Sequence, residues 1–174
     1  MITQTERAAK ATAILLVGFA LGAAQPRTIN LEQRLLASHN HERSSHDIAP
    51  LVWDARLAQH ARVWADELAA DGKFHHSPTA PGYPFEGENI WGGTPDTFSP
   101  EAMVGLWIRE KNYFVRGTFP RNSRTGYVED VSHYTQVMWQ RTKAVGCALS
   151  RGAEEEILVC RYSEPGNIYG HRPF

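Results

Sequence analysis

Two apolar segments near the end of the chain flank a short turn, and each contains one of the two cysteines. Residues 144–149 and 157–162 have the composition of strands, and residues 150–154 have that of a hairpin turn. We expect the turn to centre on Gly152-Ala153 and Cys147 to lie opposite Cys160, where neighbouring strands bring side chains near enough for a disulfide. The sequence therefore predicts an antiparallel hairpin that carries both cysteines.

Residues 1–24 have the pattern of a secretory signal peptide. Arg7 and Lys10 lie in a polar start, an apolar run covers residues 11–21, and small residues follow. The run is shorter than the roughly 20 residues of a spanning helix, which favours a cleaved peptide over an uncleaved membrane anchor. We expect the mature chain to be a single domain of residues 25–174 without a membrane span. We expect it to be secreted, or periplasmic if the source is a Gram-negative bacterium.

Export also bears on the state of the two cysteines. In an oxidising compartment, a single pair of this kind is usually a disulfide. The alternative is two unpaired, buried thiols, which an exported protein makes less favourable. We therefore expect a Cys147–Cys160 disulfide.

Four helices and a few strands are predicted for the remainder of the chain. Asn30, Asp54 and Ser99 are cap-like residues that precede apolar positions at helical spacing. The predicted helices begin near these residues; the first fades near Ser44-Ser45 and the second ends at Gly72. A shorter helical turn is predicted within 134–139 and a short strand at 89–91. Helices and antiparallel strands in one domain indicate the α+β class.

The charge pattern and the motifs exclude several classes of function. The chain has 18 basic and 19 acidic residues without a basic stripe, so nucleic acid is not an expected partner. No cationic helix favours binding to anionic membranes. The sequence contains neither HExxH nor CxxC, neither a GxSxG elbow nor a phosphate-binding loop. A serine-nucleophile enzyme and a nucleotide-dependent enzyme are therefore unsupported.

Histidine and glutamate residues are the candidates for a site. His39 and His46 could line one helix face, although solvated or core histidines are the commoner explanation and metal binding there is disfavoured. Glu110 is more informative, because its spacing places it on the same helix face as Met103 and Trp107. A carboxylate is costly to bury alone, so a positive or hydrogen-bonding group must face Glu110.

Several segments, taken in order, resemble motifs of the CAP superfamily of cysteine-rich secretory, antigen-five and pathogenesis-related proteins. The most specific resemblance is the segment from His133 to Trp139. The other matching segments are His39-Asn40 with Arg43, Leu51 to Asp54, Ala61 to Ala65, His76-Ser77, Gly87 to Ile90, Trp107 to Glu110, Gly146 to Ala148, and Val159 to Tyr162 with Pro165 to Asn167. So many motifs in the family's order make a chance resemblance very improbable.

The resemblance implies an α-β-α sandwich with a three-stranded antiparallel sheet between helical layers. It also implies a cavity lined by two histidines and two glutamates, which by motif are His76, Glu88, Glu110 and His133. His76 is preferred to His75 because the family motif places a serine directly after the histidine. In the family this site can bind a divalent cation, commonly Zn²⁺, through the two histidines, with the carboxylates orienting the rings or holding water.

The chain departs from the family pattern in three ways. Ser132 stands where a glycine is usual, and Arg161 stands where an asparagine is usual; neither departure is expected to affect the four cavity positions. The chain has only two cysteines and shows no cysteine-rich C-terminal extension, which resembles microbial members. The ion-channel roles associated with that extension are therefore not expected.

Three functions are compatible with the resemblance, because membership of a fold family does not fix an activity. The preferred expectation is a non-enzymatic extracellular binding module, with a lipid- or sterol-type ligand as one candidate. The second is a metal-dependent, peptidase-like hydrolase in which Glu88 or Glu110 acts as a base on metal-bound water. The third is a stable scaffold whose four cavity residues are structural.

Overall fold

The computed structural model describes residues 27–78 and 85–174, so the predicted signal peptide lies outside the described residues. The helices are α1 (Leu31–Ser44), α2 (Ala55–Asp71), α3 (Pro100–Arg109) and α4 (Ser132–Val137), with 3₁₀ turns at Glu110–Asn112 and Val128–Asp130. The strands are β1 (Val52–Trp53), β2 (Gly87–Gly93), β3 (Ala144–Arg151) and β4 (Glu156–Ser163). In these two ranges, no helix combines the length and the apolar character that crossing a membrane requires.

Side-chain caps fix the starts of two helices where the sequence predicts them. Asp54 accepts hydrogen bonds from two backbone amides in the first turn of α2, and Ser99 accepts one from the amide of Ala102 in α3. Asn30 does precede α1, but its backbone is left-handed and its side chain makes no capping hydrogen bond. The boundary of α1 is therefore as expected, whereas the expected cap is not formed.

Strands β3 and β4 form the predicted hairpin. Arg151 pairs with Glu156 and Cys147 pairs with Cys160, so the centre of the turn lies between residues 153 and 154, one residue after the expected centre at Gly152-Ala153. The Cα atoms of the two cysteines are 4.1 Å apart and their sulfur atoms form a disulfide. The predicted hairpin and the predicted disulfide are both confirmed.

The sheet has four strands, in the order β1-β3-β4-β2. β2 and β3 both pair with β4 in the antiparallel sense, whereas β1 pairs with β3 in parallel. The expectation of a three-stranded, purely antiparallel sheet was therefore wrong. β1 has only two residues, too few for the alternation of polar and apolar positions that marks a strand in a sequence.

Helices cover both faces of the sheet. α2 packs on one face through a cluster that includes Ala61, Trp64, Leu68, Ile90, Ala148, Ile157 and Val159. α1, α3 and α4 pack on the other face through a larger cluster that includes Leu35, Met103, Trp107, Tyr134, Leu158, Cys160 and Tyr162. Because successive residues of a strand point to opposite faces, β4 contributes alternately to both cores. The sheet thus lies between helical layers, as the resemblance implies.

Gly146 allows the closest approach between the sheet and α2. A Cβ atom at this position would lie 2.2 Å from the backbone nitrogen of Ala58 and 2.4 Å from the carbonyl oxygen of Asp54. No larger residue fits without moving the backbone of one element. The first turn of α2 is therefore held directly against β3, and this contact fixes where the side chains of α2 meet the sheet.

Candidate functional site

His133 and Glu110 form the first of two histidine–glutamate pairs. His133 Nδ1 lies 2.6 Å from Glu110 Oε1, and the backbone amide of Tyr134 donates to Glu110 Oε2 at 3.0 Å. The ring of His133 is stacked on Trp107, with centroids 6.1 Å apart. Glu110 follows the last residue of α3 and is partly buried. The sequence predicts a positive or hydrogen-bonding group opposite Glu110. The first residues of α4 supply that group.

His76 and Glu88 form the second pair. His76 Nδ1 lies 2.6 Å from Glu88 Oε1, which also accepts a hydrogen bond from the amide of Ser77 at 3.0 Å. The side chain of Glu88 is 7% exposed and that of His76 is 65% exposed. The carboxylate therefore belongs to the protein interior, whereas much of the imidazole faces solvent.

Arg161 contacts the buried carboxylate of the second pair. Its Nη2 atom lies 3.1 Å from Glu88 Oε2, because the two residues are opposite each other on β4 and β2. Burial alone would raise the pKa of Glu88, but the hydrogen bond from His76 and the positive charge of Arg161 outweigh it and lower that pKa. The expectation that Arg161 leaves the cavity positions unaffected was wrong.

The two pairs adjoin consecutive residues of β2. Glu88 belongs to the second pair, and the side-chain amide of Asn89 donates to the carbonyl oxygen of His133 at 3.1 Å. Within 27–78 and 85–174, no hydrogen bond or ion pair joins the pairs directly, and no three His, Cys, Asp or Glu side chains are grouped to hold one metal ion. Convergence of all four residues on one cavity stays a prediction.

The other histidines considered from the sequence lie in separate surroundings. His39 is fully buried and bonds to the carbonyl oxygen of Leu35 and the hydroxyl of Tyr162. His46 instead lies near Glu42 and Phe174. His39 therefore has a core role, and His46 is partly exposed.

One further histidine–glutamate pair was missed in the sequence. His60 Nδ1 lies 2.7 Å from Glu86 Oε1, and Arg161 Nη1 lies 3.9 Å from Glu86 Oε2. His60 is on α2 and Glu86 immediately precedes β2. Only the packing of α2 on the sheet brings them together, so no spacing along the chain could have indicated the pair.

Comparison with known proteins agrees with this architecture. Pathogenesis-related protein 1C of Nicotiana tabacum is 34% identical over 146 residues, which cover 83% of this chain and 82% of that protein. GLIPR1-like protein 1 of Mus musculus is 36% identical over 140 residues, covering 74% of this chain and 55% of that protein. The crystal structure of NaASP2 with Zn²⁺ superposes with a TM-score of 0.69 at 20% identity, covering 89% and 88% of the two chains.

A family model places the chain among these relatives. The model described as CAP, the cysteine-rich secretory protein family, matches residues 36–162. This range includes all four residues of the two histidine–glutamate pairs and both cysteines of the disulfide. The chain therefore belongs to the CAP family of cysteine-rich secretory proteins.

Proposed function

We propose that this protein is an extracellular, non-enzymatic binding module that holds a divalent cation through His76 and His133. The observation that carries the proposal is the hydrogen bond from each histidine to a glutamate. In both pairs, the distance from Nδ1 to Oε1 is 2.6 Å. A carboxylate cannot donate, so Nδ1 carries the proton and the lone pair of a neutral imidazole is on Nε2. Both rings are thus prepared to bind a cation through Nε2.

The donor set fits zinc in its chemistry. Zinc-binding histidines generally donate their second ring nitrogen to a carboxylate or carbonyl group, which fixes the tautomer and raises the basicity of the ligand. Glu88 and Glu110 supply this support. The related fold of NaASP2 was solved with Zn²⁺. With two histidine ligands, the remaining coordination positions would be open to water or to a bound partner.

The same contacts favour a binding module over the hydrolase. A general base must direct a lone pair at the attacking water, whereas both carboxylates direct theirs at a histidine ring and at a backbone amide. Both oxygens of Glu110 already accept hydrogen bonds. Oε1 of Glu88 accepts two, and its Oε2 faces Arg161. A lipid- or sterol-type ligand rests on the family resemblance alone, whereas these contacts support the cation.

Calorimetric titration with zinc at neutral pH tests the proposal. We expect saturable binding by the protein and loss of that binding in the His76→Ala, His133→Ala double variant. His75→Ala is a matched control, because His75 is the exposed neighbour of His76 and donates to no carboxylate in the described ranges; it should bind as the wild type does. Affinity should fall at acid pH, because only neutral imidazole binds a metal.

Two results would contradict the proposal. Equal binding by the double variant and the wild type would place the zinc elsewhere on the protein. No binding by the wild type would indicate that the two pairs are structural. In that case, Glu110 and His133 join the end of α3 to α4, and His76 and Glu88 join the segment after α2 to β2.

A further inference from the structure

The contacts of Arg161 extend the second histidine–glutamate pair into a larger cluster. We use the name Arg161 cluster for His60, Glu86, Arg161, Glu88 and His76, which contact one another in that order. The successive distances are 2.7 Å from His60 to Glu86, 3.9 Å from Glu86 to Arg161, 3.1 Å from Arg161 to Glu88 and 2.6 Å from Glu88 to His76. The guanidinium of Arg161 thus lies between two carboxylates, and each carboxylate is hydrogen-bonded to a histidine ring.

The three central members of the cluster are buried. The side chains of Glu86 and Glu88 are each 7% exposed, and that of Arg161 is 6% exposed. A buried carboxylate is stable only near an opposite charge or several donors. Neither carboxylate oxygen that faces Arg161 has an aligned hydrogen bond to a described residue, so Arg161 acts on both by its charge. Without that charge the two carboxylates would repel each other.

We propose that Arg161 is a positioning residue, which holds Glu88 in the orientation that accepts a hydrogen bond from Nδ1 of His76. This inference rests on the proposed function in so far as it assigns His76 to the cation. Arg161 attracts one oxygen of Glu88, so the other oxygen is directed at His76 and Ser77. The carboxylate of Glu110 has no such arginine partner among the described residues. The two carboxylates of the site are therefore oriented by different groups: Glu88 by the charge of Arg161, and Glu110 by the backbone amide of Tyr134.

The register of the sheet places Arg161 beside Glu88. The two residues are directly paired between β4 and β2, so their side chains leave the same face of the sheet. His60 reaches the cluster from α2, which packs on that face. The orientation of His76 thereby depends on the packing of α2, although His76 itself lies after that helix.

Long-range ¹H–¹⁵N spectra of the imidazole rings in metal-free protein test the proposal, since they report which ring nitrogen carries the proton. We expect wild-type His76 and His133 both to be Nδ1-protonated. In Arg161→Gln the tautomer of His76 should become mixed, whereas that of His133 should be unchanged and serves as the internal control. Arg161→Lys keeps the charge and should retain the wild-type tautomer.

Zinc affinity provides a second measurement. Loss of groups that orient metal ligands typically weakens binding about 10- to 100-fold, and we expect Arg161→Gln to fall in this range. Arg151→Gln is the matched control, because Arg151 lies on the same hairpin but is exposed and pairs with Asp96. That variant should bind zinc as the wild type does. If Arg161→Gln does not fold, the Glu86→Gln, Arg161→Gln double variant, with one buried carboxylate fewer, takes its place.

An unchanged His76 tautomer in a folded variant without Arg161 would overturn the proposal. Equal changes at His76 and His133 would also overturn it, because they would show a general loss of structure instead of positioning. The spectra need no metal. A wild type that fails to bind zinc would therefore contradict the proposed function and leave the test of Arg161 intact.

Discussion

His39 is the buried end of a hydrogen-bond chain that links α1 to the sheet and to α4. Its Nδ1 atom donates to the carbonyl oxygen of Leu35, and its Nε2 atom accepts from the hydroxyl of Tyr162 at 2.8 Å. Asn89 in turn donates to Tyr162 and to the carbonyl oxygen of His133. This pattern requires a neutral imidazole. Burial lowers the pKa of His39 to about 4.

We predict that His39 makes the stability of the fold sensitive to mild acid. Below its ordinary pKa of 6.5 the unfolded chain binds a proton at this residue, whereas the folded protein does so only near pH 4. The free energy of unfolding should therefore fall as the pH drops from about 6.5 to about 4, by about 3 kcal/mol for this residue. Urea denaturation of the wild type and of His39→Gln across this range measures it.

The stability difference between these two proteins should shrink as the pH falls, because His39→Gln lacks the titrating group. His41→Gln is the control, since His41 is exposed on the same helix; its stability should follow the wild-type pH profile. Parallel profiles for the wild type and His39→Gln would contradict the prediction.

At the scale of elements, Arg43 joins the end of α1 to the end of α4. Its side chain is fully buried, and its guanidinium donates to four carbonyl oxygens at 2.9–3.1 Å, those of Ala49, Val137, Trp139 and Thr142. Burial lowers the pKa of Arg43 to about 10, so the group stays charged at neutral pH. The carbonyl groups at the end of a helix carry partial negative charge, which suits this contact. Arg43 thereby fixes the helix that presents His133.

We predict that Arg43→Lys destabilises the protein by about 3 kcal/mol or more. An ammonium group is a single point with three donors and cannot span four carbonyl groups, so buried acceptors would lose their partners. Urea denaturation at neutral pH measures the loss. Arg56→Lys, at an exposed position of α2, is the control and should change stability by less than about 0.5 kcal/mol. Similar losses in both variants would refute the role of Arg43.

At the scale of the whole molecule, the two histidine–glutamate pairs are anchored in different helical layers: Glu88 leaves β2 on the α2 face, whereas Glu110 and His133 belong to the α3–α4 layer. Glu88 and Ile90 point towards α2, and Asn89 points towards α4. β2 is an edge strand, so its first residues can contact groups from both layers. The proposed cation site therefore depends on both cores, and on the hairpin with which β2 is paired.

We predict that the exported protein is a single chain beginning near Gln25 with its disulfide formed. The signal pattern of residues 1–24 and the disulfide in the hairpin motivate this expectation. Intact mass and N-terminal sequencing of non-reduced protein from the producing cells test it. The mass should lack residues 1–24 and be two hydrogens below that of the dithiol. A protein that still begins at Met1, or that has two thiols open to alkylation, would contradict the corresponding part.

The sequence by itself determined the features that depend on neighbouring residues. Asp54 and Ser99 mark the starts of α2 and α3, because a helix cap needs only the first turn that follows it. The hairpin follows for a similar reason, since one turn fixes the register of both strands and thereby the Cys147–Cys160 disulfide. The family motifs also identified both histidine–glutamate pairs as candidates, although not how their members are paired.

Only the tertiary structure decided the contacts between distant segments. The parallel pairing of β1 with β3 could not be predicted, because a strand of two residues has no recognisable pattern in the sequence. The sequence also did not indicate which carboxylate Arg161 contacts. Arg161 meets Glu88 because β2 pairs with β4, and His60 joins Glu86 because α2 packs on that sheet. Ion pairs and hydrogen bonds depend on distances in space, which the periodicity of a chain does not encode. For that reason, the surroundings of the candidate site followed from packing, whereas its residues were recognisable beforehand.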